Sequence, residues 1–258
     1  MTNIRAPYDS IGIGYAKYRK PDRRIARAIR AAIGDVGTLV NVGAGPGSYE
    51  PDDVAVTAVE PSWQMLSQRK GRKAVAVRAV AEHLPFEDAT FDVALAVLTV
   101  HHWQDSEAGL KEMMRVARQR VVLLTWDPQH AGFWLTRDYF PEILDLDRRI
   151  FPDIRVLEAS LGGPTVHEIP IPGDCTDGFL GAYWRRPAAY LDPEVRGAIS
   201  TFSRMRDLAA GLASLQSDLQ DGTWLKRNGS VASRAELDLG YRLMVASCVS
   251  KRPLAPRR

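Results

Sequence analysis

The stretch Thr38-Leu39-Val40-Asn41-Val42-Gly43-Ala44-Gly45-Pro46-Gly47 passes from a short apolar run straight into glycines. The run suits a strand buried on both faces, as in a parallel sheet. The glycines let the chain turn sharply and leave no Cβ between the backbone and a ligand. A tight strand-to-helix turn that holds nothing would look the same, so the flanking residues must decide.

Working outward, Ile25, Ala28, Ile29 and Ala32 recur at helical spacing within residues 21–32, with Arg23, Arg24, Arg27 and Arg30 on the other faces. Further strands are predicted at 54–59, 74–77, 91–100 and 120–126, with helices at 62–69 and 106–117. This alternation implies right-handed crossovers and an α/β fold with a doubly wound sheet. Glu60 closes the second predicted strand. In such a sheet that strand end lies beside the glycine turn, where a carboxylate accepts from both hydroxyls of a ribose; an exposed surface glutamate is the plain alternative. The second half predicts a helix at 133–146, a strand at 165–171, mostly helical chain at 179–219 and a closing strand at 241–246. With no sharp linker, residues 1–258 read as one domain carrying a helical insertion or cap at 176–220.

The glycines fall at the first, third and fifth positions of the loop, and Ser48 stands sixth, where a dinucleotide fingerprint needs glycine. Beyond the third predicted strand come Ala81-Glu82-His83-Leu84-Pro85-Phe86 and Phe91-Asp92, and the fourth ends in Leu98-Thr99-Val100-His101-His102-Trp103. Together with Val42 to Gly47, Val59-Glu60-Pro61-Ser62 and Met65, this order over residues 36–128 resembles the class I S-adenosylmethionine-dependent methyltransferases. The resemblance is strongest to their small-molecule branch, which includes quinone-biosynthesis enzymes.

That resemblance implies a Rossmann-like, seven-stranded, mostly parallel sheet and S-adenosylmethionine as cofactor. It implies that Gly43, Ala44 and Gly45 lie against the methionine part, with Asn41 and Gly47 in the same cradle, and that Glu60 holds the ribose. Pro61 and Met65 would flank the adenine, Ala81 would offer its N–H to the adenine edge, Leu98 would lie beneath the sulfonium, and Glu82 and Trp103 complete the set. Residues 1–30, with Tyr8, Tyr15, Tyr18 and Arg19, match a segment that folds over the cofactor, Tyr18 touching it; packing against a helix accounts for the tyrosines equally well. The family often has an acid where Asn41 stands and an aspartate where Val80 stands. The first contact then passes to the Asn41 side-chain oxygen, and the second to Glu82, a backbone carbonyl or water.

A sulfonium carries an activated methyl group, so transfer asks the protein to hold nucleophile, carbon and sulfur in line and to exclude water. A base is needed only where the acceptor atom, oxygen, nitrogen or carbon, must lose a proton. His101 and His102 end the fourth predicted strand, and strand alternation would turn them to opposite faces. His102 matches the position near the transferred methyl in similar enzymes, with a purely structural histidine as the alternative. Trp126, Trp134, Tyr139, Phe140, Phe179, Tyr183 and Trp184 supply either the apolar walls of an acceptor pocket or ordinary core. Arg185 and Arg186 meet either an acidic acceptor group or solvent.

Composition narrows the remaining classes. With 34 basic against 31 acidic residues the net charge is only +3, which is no nucleic-acid footprint. Cys175 and Cys248 are too few for a disulfide framework and lack metal-site spacing, so no metal is expected. No stretch approaches the ~18 apolar residues of a membrane span, and Arg5, Asp9 and Lys17 interrupt any leader, which points to a cytoplasmic protein. Two other classes compete: a nicotinamide-dependent oxidoreductase, and a methyltransferase-fold protein that binds the cofactor as a partner or rearrangement catalyst without moving a methyl group.

Overall fold

In the computed structural model, which describes residues 18–69 and 74–248, helix α1 (Arg23–Ile33) buries Ile25, Ile29 and Ile33 at four-residue spacing. The apolar run that follows is strand β1 (Thr38–Val42), buried from Leu39 onward. It pairs in parallel with β2 (Ala55–Val59), which leads into the short helix α2 (Trp63–Ser67) and then β3 (Val75–Val77), parallel to β2. On its other side β1 pairs in parallel with β4 (Phe91–Val97). Helix α3 (Ser106–Val116) then runs directly into β5 (Ala117–Trp126), parallel to β4.

Later in the chain come α4 (Glu142–Ile150), α5 (Ile154–Ser160), β6 (Thr165–Glu168), β7 (Ile171–Pro172), α6 (Pro193–Gly197), α7 (Ala209–Gln220), α8 (Thr223–Ala232), β8 (Glu236–Leu237) and β9 (Tyr241–Ser247). The seven-stranded sheet has the order β3-β2-β1-β4-β5-β9-β6, and β7 and β8 form a separate antiparallel pair. The strand order reverses between β1 and β4. In open α/β sheets ligands bind at that switch point, outside the carboxyl ends of the strands. The doubly wound, mostly parallel sheet expected from the sequence is therefore the one observed.

The described residues form two compact units: a sheet unit of Ala28–Thr125, Ile154–His167 and residues 243–248, and a helical unit of residues 18–27, Trp126–Asp153 and Glu168–Arg242. In the sheet unit, α3 is capped by the Asp105 side chain on Ala108 N and buries Leu110, Met113 and Val116 in a core with Val40, Ala94 and Val121. In the helical unit the core is aromatic. Trp134 meets Tyr190 and Trp224 edge-on at 5.7 and 5.3 Å, and its indole N–H donates to Trp184 O at 2.8 Å.

Several boundaries differ from the sequence reading: β5 starts at Ala117 instead of 120 and α2 ends at Ser67 instead of 69, and two further breaks fall at prolines. The helix predicted at 133–146 is a π-helical turn at Leu135–Tyr139 followed by α4, with the break at Phe140-Pro141. Proline supplies no N–H and pushes the preceding residue out of the helical region. The strand predicted at 165–171 is likewise split into β6 and β7 around Pro170. The fourth strand stops at Val97 instead of Val100, because Leu98 takes a left-handed backbone, φ 50°. Residues 176–220 are helical as expected, in short 3-10 turns at Leu180–Tyr183 and Pro187–Leu191 and in α6 and α7. Among the described residues no helix is long and apolar enough to cross a membrane.

Candidate functional site

The glycine loop is built on positive φ angles at Gly43 (68°), Gly45 (51°) and Gly47 (93°). Gly43 N and Ala44 N both donate to Val59 O at the end of β2, at 2.8 and 3.0 Å, which fastens the loop to the neighbouring strand. The first two glycines are there for different reasons. A Cβ on Gly43 would stand 2.1 Å from Thr99 Oγ1, so this glycine lets the loop touch the end of β4. A Cβ on Gly45 would meet no atom within 4 Å, so the Cβ direction of this glycine is open. Glu60 is buried beside it, accepting from Gly45 N at 3.0 Å through one oxygen and from Ser62 N at 2.9 Å through the other. The carboxylate expected at the ribose is thus adjacent to the cradle and also braces it.

Beneath the loop lies a buried ionic network that sequence reasoning missed. Arg69 forks onto both oxygens of Glu50 at 2.8 Å, the two side chains being 5% and 4% exposed. Its other terminal nitrogen donates to Gly45 O at 3.1 Å. Asn41 Nδ2 donates to Glu50 Oε1 at 3.0 Å. The Gly45 peptide is therefore gripped on both sides, its N–H by Glu60 and its carbonyl by Arg69. The acid that the family often carries at the position of Asn41 is here reached through Asn41, on Glu50. No spacing rule links Glu50 to Arg69; only a glutamate following Tyr49, another positive-φ residue (63°), hints at a special turn.

At the end of β4, Leu98 N donates to Leu124 O and the chain then folds into a 3-10 turn, Val100–His102. A non-glycine residue at positive φ is uncommon and marks a site that the surrounding structure enforces. Because the strand has already ended, alternation does not apply to the two histidines. Their rings lie 3.8 Å apart, tilted by 49°, instead of on opposite faces as the sequence predicted. His102 remains at the switch-point end of β4, with His101 as its neighbour.

On the expected adenine side, Ala81 is buried and Met65 is buried under the start of α2, where Ser62 Oγ accepts from Met65 N. Pro61 O accepts from Arg78 Nε at 3.0 Å. Trp103 packs on Gly109, where a Cβ would come within 2.5 Å of the indole, so this ring is seated against α3. Glu82 Oε1 accepts from Gln104 N and Asp105 N at 2.7 and 3.2 Å, which holds the entry to α3. The Leu84-Pro85-Phe86 loop is held from α3 as well: Leu84 N donates to Glu112, and Arg115 donates to Leu84 O and Phe86 O. The hydrogen-bonded Arg115 guanidinium keeps the Glu112 carboxyl below its ordinary pKa, against the opposing effect of burial.

In the helical unit, Tyr18 donates to Glu194 Oε2 at 2.6 Å, and Arg19 pairs with buried Asp177 at 2.6 Å. Tyr8 and Tyr15 lie outside the described residues. Trp134, Tyr139, Phe140, Phe179, Tyr183 and Trp184 are buried core residues. Trp126 lines a cavity, with Phe133, Leu144, Leu180, Tyr241 and the unforeseen His130 among its other walls. Arg185 donates to Arg234 O, and Arg186 to Cys175 O and Ala182 O, so both hold the backbone. Among the described residues no cluster of His, Cys, Asp or Glu could hold a metal ion.

Comparison with known proteins agrees with this geometry. Residues 40–125 match the family model "Methyltransferase domain". A crystal structure of a "Putative methyltransferase from antibiotic biosynthesis pathway" of Anabaena variabilis ATCC 29413 is 32% identical, with a TM-score of 0.82 over 89% of this chain and 98% of that one. A chloroplastic 2-methyl-6-phytyl-1,4-hydroquinone methyltransferase of Oryza sativa subsp. japonica is 30% identical over 109 residues, 38% of this chain and 31% of that protein. The chain thus spans about a third of the length of this curated relative. The [4+2]-cyclase SpnF shares the fold alone, at 15% identity and a TM-score of 0.52 over 93% of each chain. A glycine cradle at the β1/β4 switch point, a carboxylate at the end of β2 and a relative matched over nearly its whole length place the chain in the S-adenosylmethionine-dependent methyltransferase family.

Proposed function

We propose that the protein transfers the methyl group of S-adenosylmethionine to a small-molecule acceptor. The observation that carries this reading is Gly45: a left-handed glycine whose Cβ direction is empty, with its peptide held between Glu60 and Arg69. That open main chain fits the methionine portion of the cofactor, which Asn41, Gly43, Ala44 and Gly47 would also border. Glu60 would accept from the ribose hydroxyls, and Pro61, Met65, Ala81 and Glu82 would enclose the adenine, with Trp103 supporting that side. Leu98 would lie below the sulfonium, and Tyr18 belongs to the segment proposed to cover the cofactor. The bound cofactor supplies an electrophilic methyl carbon. The protein supplies position: a charge-braced loop loses little freedom when it binds, and in-line placement accounts for much of the rate in such reactions. Where the acceptor is protic, His102 would take its proton.

We also place the protein in the cytoplasm, a reading supported by its two free thiols, Cys175 and Cys248. Release of S-adenosylhomocysteine, followed with a methyl-labelled cofactor and a panel of quinols, phenols, amines and carboxylic acids, tests the reading. Transfer of label to one acceptor class is the expected result. Cofactor binding with no release in any class would instead assign a non-methylating role.

A further inference from the structure

We propose that the cavity in the helical unit recognises a protic group, a hydroxyl or N–H, at the end of an otherwise apolar small molecule, and that His130 is its hydrogen-bond partner. Only the identification of that molecule as the methyl acceptor rests on the function proposed above. The cavity has a volume of about 20 Å³, so it takes the tip of a ligand and not the whole of one. Trp126, Phe133, Leu144, Leu180 and Tyr241 make its walls apolar. Two donors on those walls are already engaged within the protein, and a third polar group, a hydroxyl, accepts there. Trp126 Nε1 donates to Leu239 O at 2.8 Å, Thr136 Oγ1 donates to Phe133 O at 3.1 Å, and the Tyr241 hydroxyl accepts from Gly181 N at 3.2 Å.

His130 is placed differently. Its turn is closed by His130 N donating to Asp127 O at 3.1 Å, and Asp127 N donates to Gly240 O at 2.8 Å. Gly240 has φ +86°, and a Cβ there would stand 2.6 Å from His130 Cβ, so glycine is what allows the imidazole to occupy this place. Behind the ring, Asp238 Oδ2 lies 4.0 Å from His130 Nδ1. That carboxylate is fixed by two Arg242 nitrogens at 2.8 and 3.1 Å and by Gly240 N at 2.9 Å. At 4.0 Å this carboxylate lies beyond hydrogen-bonding distance of the ring. An imidazole among apolar walls discriminates by chemistry: a hydroxyl or N–H can pair with a ring nitrogen, and a ligand tip that cannot hydrogen-bond displaces water from the ring without replacing its bonds.

The test uses the full chain and two probes of nearly the same shape, 4-fluorophenol and 1,4-difluorobenzene, followed by fluorine NMR. The phenol should bind at least tenfold more tightly than the difluorobenzene. His130→Leu should erase that preference, His130→Gln, which keeps an accepting oxygen, should retain part of it, and Leu180→Trp should block both probes. Equal affinity for the two probes, or a preference that survives His130→Leu, would overturn the proposal. Calorimetry of S-adenosylmethionine on the same wild-type sample reports separately on the methyltransferase reading, whose failure would leave the probe preference standing.

Discussion

The glycine loop makes a prediction in which fold stability and ligand affinity move in opposite order. Alanine at Gly43 and alanine at Gly45 both force a side chain into the left-handed region, φ 68° and 51°, at about 1–2 kcal/mol each. At Gly43 the new Cβ also falls 2.1 Å from Thr99 Oγ1 and 2.8 Å from Thr99 Cβ and Cγ2, and overpacking of that kind costs a further ~1–3 kcal/mol. At Gly45 there is nothing to strike. Gly43→Ala should therefore destabilise the protein by roughly 2–5 kcal/mol and Gly45→Ala by roughly 1–2 kcal/mol. Urea unfolding measures both. Thr99→Ala removes Oγ1 and Cγ2 and leaves Cβ at 2.8 Å, so it should recover part of the ~1–3 kcal/mol in the Gly43→Ala background and none in the Gly45→Ala background. Equal costs at the two glycines, or no coupling between Gly43→Ala and Thr99→Ala, would refute the assignment of one glycine to packing and the other to the ligand.

Three further outcomes are expected. Arg69→Leu strands the buried Glu50 carboxylate and should cost about 3–5 kcal/mol by urea unfolding, whereas replacing both members by apolar residues should restore most of it. Burial raises the Asp147 carboxyl from 3.8 to about 7, only partly offset by Thr201 and Arg204; the folded state then binds a proton that the unfolded state releases, so stability falls between about pH 4 and pH 7. Asp147→Asn should flatten that slope and stabilise the protein by up to ~4 kcal/mol at pH 8, and an unchanged slope would show that Asp147 does not titrate there. With an identified protic acceptor, His102→Ala should lower turnover about 10²–10⁴-fold at unchanged cofactor affinity, and normal turnover would leave positioning alone as the source of rate.

What could be read from the chain was what repeats or has a fixed place relative to a strand. The run at 38–42, the glycines after it and Glu60 at the end of β2 are local features, and local sequence specified the fold around them. Boundaries went wrong where one residue overrode a period: Leu98 ends β4 through its backbone angle, and apolar periodicity does not register such an angle. That single error carried into the site, because it replaced strand alternation by a 3-10 turn and brought His101 and His102 side by side. The grip on Gly45 was hidden for another reason. Arg69 and Glu50 meet across 19 residues, and only the folded loop brings them under the same peptide. His130 stayed unread because its partners, Asp238 and Gly240, come from the far end of the chain.

The central claim is that the open face of Gly45 holds S-adenosylmethionine, and titration calorimetry of the cofactor into the wild-type chain and Gly45→Val tests it most directly. A Cβ at that position meets no protein atom within 4 Å, so the variant should keep its fold in circular dichroism apart from the cost of its backbone angle. The account predicts saturable one-to-one binding by the wild type and loss of at least a hundredfold in affinity by the folded variant, about 2.7 kcal/mol. Wild-type affinity in a folded Gly45→Val protein would contradict it.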